Sequence, residues 1–348
     1  MANITDVAKR AGVSISTVSN VINGTKFVGQ ELTDRVHRAI DELGYQANGI
    51  AASMKRRETR NIGVIFPNIR MVFFPEVLEG IENAAREYGY KILYFSTDYN
   101  FEKEEEYLHL LKNSWVDGIV IDSCCTSENI NEYQNILIEN PTGKSVPVVA
   151  LETPFSSQKL GVITFNQIKY TTESLEYLIG IGRRRIGLLV GPDLPVYRDT
   201  MDACKKVFKK HRIDFNEDSI MHGDYFAESG YKAAKTAIDN GANWDAIYAE
   251  NDQMAIGAMK AIKECGKSIP EDIAVIGADG IFVTSLIEPS LTSVELPRYE
   301  MGYESIRLLM EMIQDHPETG RHIELDGKLI IRQSTDPDVK ENWELKGW

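Results

Sequence analysis

Hydrolysis, group transfer or redox chemistry would need a nucleophile beside a base, converging carboxylates, a metal cluster or a phosphate-cradling glycine loop, and no such set stands out in this chain. His37, His109, His211, His222, His316 and His322 are scattered, with neither HExxH nor HxH spacing. The run Gly-Ile-Gly-Arg-Arg-Arg-Ile-Gly at 180–187 precedes an apolar strand instead of following one, so it reads as a helix end and not as a dinucleotide fingerprint; no Walker A sequence occurs. Cys124, Cys125, Cys204 and Cys265 make neither a CxxC pair nor a zinc pattern. The adjacent pair follows apolar 118–121 and reads as free thiols near a sheet end, with redox sensing as the alternative. The expectation is a protein that is not an enzyme and holds no metal or cofactor.

The side chains do suit reversible recognition. Asn251-Asp252-Gln253 follows apolar 246–249, and Asp279 follows 273–277. An amide and carboxylates at strand ends fit the paired hydroxyls of a sugar or the edge of a base. Asp252 also opens a helix, so capping is its competing role. Phe73 and Phe74, after the first strand of the body, and Tyr225, after Gly223-Asp224, could stack on a ring, with core packing as the alternative. A second candidate surface lies at 14–23, where Ile15, Ser16, Thr17, Ser19, Asn20 and Asn23 form a small, mostly polar face able to reach base edges and phosphates.

Two kinds of scaffold must position these groups. Residues 5–24 read as two short helices joined by a glycine turn: Thr5 caps the first, Val7, Ala8 and Ala11 give it an apolar face, and Gly12 ends it. Ser14 caps the second, on which Val18, Val21 and Ile22 point inward. A third amphipathic helix over 29–43, with Leu32, Val36, Ala39, Ile40 and Leu43 on one stripe, completes a core for this helix-turn-helix. A short helix-capable segment then ends in Lys55-Arg56-Arg57. From 62 onward apolar runs of strand length alternate with helices: strands 62–66, 91–96, 118–121 and 146–151, helices 75–88 and 102–112, then a second series beginning near Val162. Two parallel-sheet α/β halves imply two lobes with a cleft at the carboxyl ends of their strands.

At 348 residues the chain exceeds one core and fits a small headpiece plus a two-lobed body. Its 43% hydrophobic and 26% charged content is that of a globular protein, and no apolar run is long enough to span a bilayer, so no membrane partner is expected. The opening Met-Ala-Asn-Ile-Thr-Asp runs into a capped helix and not into an apolar leader, which predicts the cytoplasm. The net charge of −14 is uneven: residues 1–60 carry +3 and the remainder −17, as suits a chain that offers only one end to phosphates.

The motifs Asp-Val-Ala, Ala-Gly-Val-Ser, Thr-Val-Ser, Val-Ile-Asn-Gly and Leu-Gly-Tyr in the first sixty residues resemble the headpiece and hinge of the LacI/GalR family of bacterial transcription regulators. The resemblance implies an all-α helix-turn-helix headpiece over 1–47, a hinge helix and linker over 48–60, a periplasmic-binding-protein-like body over 61–336, and a C-terminal extension over 337–348. Lobe one would hold about 61–164 and 293–325, and lobe two about 165–292 and 326–335. A homodimer on double-stranded operator DNA is implied, with Ile15, Ser16 and Asn20 on base edges and Thr5, Ser14, Thr17, Asn23 and Tyr45 toward phosphates. Asn48 opens the hinge helix, Met54 wedges into the central minor groove, and Lys55 lies against phosphate. A small-molecule effector is implied in the cleft, with Asn251, Asp252 and Asp279 at matching positions and Glu152 at a polar contact position. The chain departs from the pattern at Thr200, where the family has an arginine. Arg198 could serve only with a small gap. Asn166 replaces an aspartate and Ala47 a proline. The expected function is a repressor answering to a sugar or related metabolite; the alternatives are a cytoplasmic binding protein, or a regulator controlled by a partner protein.

Overall fold

The computed structural model describes residues 2–24, 26–45, 58–113, 115–139, 146–315 and 321–340, and the chain divides into two compact units, 1–59 and 60–348. The hinge candidates Asn48, Met54 and Lys55, and positions 341–348 of the C-terminal extension, lie outside the described residues.

In the first unit, helices α1 (Ile4–Ala11), α2 (Ile15–Asn23) and α3 (Gln30–Leu43) surround a core of Val7, Ala8, Ala11, Val18, Val36 and Ala39. The cap of α1 is Asn3 and not Thr5: its side chain accepts from the backbone N–H of Thr5 and Asp6, while the Asp6 carboxylate accepts from Asn3 N. That reciprocal box needs an acceptor three residues before an acid, a geometry Asn3 satisfies and Thr5 does not. Gly12 turns the chain at φ +66. Arg35 on α3 then donates through Nε to the Ala11 carbonyl at 3.0 Å, and through Nη2 to Ala11 and Gly12, satisfying carbonyls that the end of α1 leaves open.

The second unit holds two six-stranded sheets. The first runs β11-β5-β4-β3-β1-β2, all parallel, from β1 (Asn61–Phe66), β2 (Lys91–Ser96), β3 (Gly118–Asp122), β4 (Val148–Leu151), β5 (Gly161–Phe165) and β11 (His322–Leu325). The second runs β12-β10-β9-β8-β6-β7, from β6 (Ile186–Val190), β7 (Ile220–His222), β8 (Ala246–Ala249), β9 (Ala274–Asp279), β10 (Thr292–Glu295) and β12 (Lys328–Ile330), with only β12 antiparallel. Helices cover both faces, so the central strands are buried throughout and read as continuous apolar runs.

The chain passes between the sheets three times, after Phe165, after Glu295 and after Leu325. The strand near Val162, where the second series was read to begin, pairs within the first sheet and so inside the 61–164 span of lobe one, whereas residues 293–295, expected in lobe one, pair with β9 and belong to lobe two. Each lobe also packs two helices at unusually close range. In lobe one a methyl added at Gly80 of α4 (Phe73–Glu87) would strike the Tyr299 carbonyl, and one at Gly302 of the Arg298–Asp315 helix would strike that of Val77. In lobe two Gly230 and Gly257 meet the carbonyls of Met254 and Ala227 in the same reciprocal way. Only glycine permits that backbone approach.

Candidate functional site

The headpiece presents α2 with its sequence-predicted polarity. Val18 is fully buried, Val21 and Ile22 pack on the core, Ile15 is 48% exposed and Ser16 is exposed. Ser14 accepts from Thr17 N at 3.1 Å, and its Oγ lies 2.7 Å from Ser16 Oγ and 2.8 Å from Thr17 Oγ1. Thr5 is exposed, and Thr17 and Asn20 are half-buried; Asn23 closes the helix. Tyr45 packs its ring against the headpiece core.

In the body the carboxyl ends of ten strands converge on one cavity of about 90 Å³. Pro67 follows β1, Tyr99 follows β2, Asp122 ends β3, Glu152 follows β4, Gln167 follows β5, Tyr225 follows β7, Glu250 and Asn251 follow β8, and Asp279 ends β9. A much larger trough of about 880 Å³ runs beside β7 and Trp244, but it is open surface within one lobe and away from the converging strand ends, so the small interlobe cavity is the better candidate. Four of its lining residues, Tyr99, Glu152, Tyr225 and Asp279, have φ between +56 and +108, the left-handed region that disfavours side-chain-bearing residues. Strain of this kind persists where surrounding structure enforces it, and it clusters at binding sites.

Electrostatically the cavity is acidic. Burial, reinforced by Asp252, holds the Asp279 carboxyl well above the usual range, and burial with Glu152 and Glu104 does the same to Asp122. Burial pushes Glu152 up to about 8. Glu250 is raised less, because Gly191 N at 2.7 Å, Thr200 Oγ1 at 2.7 Å and Tyr225 OH at 3.4 Å donate to it.

Of the sequence-predicted residues, Phe73, Phe74, Glu152, Tyr225, Asn251 and Asp279 line the cavity. The two phenylalanines are core residues as well: Phe74 stacks on Phe66 at 4.7 Å and meets Phe73 edge-on at 5.2 Å. Asn251 is the helix cap, accepting from Met254 N while its amide donates to the Tyr225 carbonyl. Two candidates lie off the cavity wall. Arg198 is exposed and absent from the cavity wall, because it faces outward on the Pro195–His211 helix. Asp252 is fully buried behind the wall, where it accepts from Ser293 Oγ at 2.6 Å and from Ile281 N at 2.9 Å; it is a strut between strands and not a lining group. Thr200 is buried and committed to Glu250 and Gln167. Sequence reasoning missed Asp122, Glu250, Tyr99, Gln167 and Tyr170; Asp122 and Glu250 carried the same signal as Asp279, a carboxylate at the end of an apolar strand.

The cysteines are free thiols; Cys124, Cys125 and Cys204 are buried. Cys124 Sγ donates to Glu104, and burial raises both adjacent thiols, Cys125 to about 11, which suppresses the thiolate a redox sensor needs.

Across the body, contacts bridge the lobes around the cavity. Val72 N donates to Gln253 Oε1 at 2.8 Å, and Arg298 joins Glu76 (Nε to Oε2, 3.0 Å) to the carbonyls of Asp279 and Gly280. Among the described residues no helix is long and apolar enough to cross a membrane.

Comparison with known proteins places this geometry. A family model described as bacterial regulatory proteins, lacI family, matches residues 3–48, and one described as periplasmic binding protein-like domain matches 175–335. The ribose operon repressor of Halalkalibacterium halodurans is 32% identical over 96% of this chain and 97% of its own length. The HTH-type transcriptional repressor PurR of Vibrio vulnificus is 32% identical over 96% and 98%. The solved lac repressor dimer bound to operator and the anti-inducer ONPF superposes with a TM-score of 0.85 at 26% identity, covering 96% of this chain and 99% of that one. Since the likeness runs through headpiece and body alike and not through one shared domain, the chain belongs to the lacI family of bacterial regulatory proteins and is a transcription regulator.

Proposed function

We propose that the chain is a cytoplasmic repressor that grips a two-fold-related operator as a homodimer, and that its hold on DNA changes when a small polar effector fills the interlobe cavity. It acts by binding and not by catalysis. In this reading α2 enters the major groove, with Ile15, Ser16 and Asn20 on base edges and Thr5, Ser14, Thr17, Asn23 and Tyr45 toward phosphates. Asn48, Met54 and Lys55 engage the minor groove. The observation that carries the reading is the combination, in one chain, of a packed three-helix unit exposing Ile15 and Ser16 with a cavity walled by strand ends from both lobes. Contacts that bridge the lobes, such as Arg298 with Glu76 and the Asp279 carbonyl, give a ligand between them something to tighten or release.

The test is selection of duplexes from a random library by the purified protein, followed by binding isotherms at two salt concentrations. Enrichment of paired half-sites, with affinity falling as salt rises, is the expected result. Recovery of unrelated sequences with no shared half-site would remove the base-reading role of α2.

A further inference from the structure

The cavity wall is one-sided in its hydrogen-bonding capacity. Asp122, Glu152, Glu250 and Asp279 line it, and no lysine, arginine or histidine does. Glu250 is satisfied from within the protein by Gly191, Thr200 and Tyr225. The other three are not. Asp279 is only 9% exposed, and Arg298 holds its main-chain carbonyl, leaving the carboxylate without a donor from any described residue. Oε1 of Glu152 is buried with no partner, and what acts on Asp122 is burial and the charges of Glu152 and Glu104, with no hydrogen bond among the causes.

The other lining side chains that could donate are largely committed, with one amide hydrogen of Asn251 left over. Ser123 donates to Glu104, Tyr99 to the Met71 sulfur and Asn251 to the Tyr225 carbonyl. Gln167 donates to Thr200 and Thr171, and Tyr170 donates to Gln167. The remaining wall is aromatic, from Phe73, Phe74, Tyr99, Tyr170 and Tyr225.

An occupant therefore meets ring faces and carboxyls that no internal donor satisfies, which burial keeps protonated until a cation takes the place of the proton. An anion finds no opposite charge in the wall. A neutral polyol brings hydroxyls that accept as well as donate and leaves its acceptors unmatched. A protonated amine brings donors alone, neutralises buried carboxylates and is attracted to ring faces. No three His, Cys, Asp or Glu among the described residues are grouped to hold a metal ion, which favours an organic cation over a bare one.

Resting on the reading of this cavity as the effector site, we propose that the effector is a compact organic cation bearing at least one protonated amine, held by Asp279, Glu152 and Asp122 against the aromatic wall. At about 90 Å³ the space suits a small amine-bearing group, and anything larger has to part the lobes.

The test is thermal unfolding of the full-length protein at neutral pH with putrescine, agmatine or glucosamine, set against glucose, N-acetylglucosamine and succinate, with duplex binding measured in parallel. At least one amine should raise the melting temperature by about 5 °C at saturating concentration while its neutral and anionic counterparts leave it unchanged. The shift should vanish in Asp279→Asn and in Glu152→Gln. Both amide variants keep shape, and asparagine tolerates a left-handed backbone well, so their unliganded melting should not fall. A shift from a neutral or anionic compound with the amines inert overturns the amine assignment and leaves the cavity as an effector site. No shift from any compound, with DNA binding intact, overturns the amine assignment and the effector role of the cavity together.

Discussion

Replacing Glu152 by glutamine isolates the cost of keeping a carboxylate in the cavity. Burial raises this group from 4.5 to about 8, so between those values the folded protein holds a proton that the unfolded chain has released. The sign follows: the folded state is disfavoured progressively as pH climbs from 4.5 to 8, by about 1.4 kcal/mol per pH unit, and the loss is complete above 8. The ceiling over that window is about 5 kcal/mol; water reaching Glu152 through the cavity screens the charge, and about 2 kcal/mol is a realistic gain for the amide. Thermal unfolding of parent and Glu152→Gln from pH 5 to 9 should give curves that converge near the acid end, with the variant about 5 °C more stable at the alkaline end. Asp122 and Asp279, which feel the Glu152 charge, should steepen the same trend in the parent. A constant offset at every pH, or a variant less stable than the parent at pH 9, would refute the argument, since neither can arise from relief of a buried charge.

Four further outcomes follow from particular contacts. Asp252→Ala leaves the Ile281 N–H buried without its partner and the Ser293 hydroxyl without its carboxylate acceptor, and should lower unfolding free energy by about 2–3 kcal/mol in denaturant titration; an undiminished stability would return Asp252 to the ligand wall. Gly302→Ala should destabilise by about 1–3 kcal/mol although alanine is the better helix former, because the methyl strikes the Val77 carbonyl; a gain in melting temperature would mean the two helices can part at little cost. Arg35→Gln removes charged hydrogen bonds to Ala11 and Gly12, and should loosen the α1–α2 turn by about 1.5–3 kcal/mol, read as faster amide exchange confined to the headpiece. Asn20→Ala should cut discrimination between the selected half-site and its single-base variants by about 1–3 kcal/mol, and unchanged preference would take Asn20 off the base edges.

Much of this was legible in the residues because it rests on local interactions. Val18, Val21 and Ile22 recur at helical spacing, so the inward face of α2 was readable, and with it the outward position of Ile15 and Ser16. The alternation of apolar strands with amphipathic helices announced two parallel sheets, and the rule that ligands sit beyond strand ends selected Asn251 and Asp279, while Glu152 came from the family resemblance and Tyr225 from its ring. Short elements were less visible: β7 and β10 have three and four residues, too few for a period to register. The exchange of Thr5 for Asn3 as the first cap is a two-residue ambiguity that only the hydrogen-bond geometry resolves.

What the sequence determined by itself was the set of parts: a capped three-helix headpiece, a duplicated α/β body, and carboxylates waiting at strand ends. The tertiary structure decided which of those carboxylates face one another. Asp252 and Asp279 look equivalent along the chain, yet one is consumed by Ser293 and Ile281 while the carboxylate of the other receives no donor from the described residues. Asp122 and Glu250 joined the site only because β3 and β8 end at the same opening, and Arg198 left it because its helix turns it outward. The physical reason is range. Capping and periodicity are settled within a few residues, whereas convergence depends on sheet order and on where the chain crosses between lobes, which hydrophobic burial across hundreds of residues imposes.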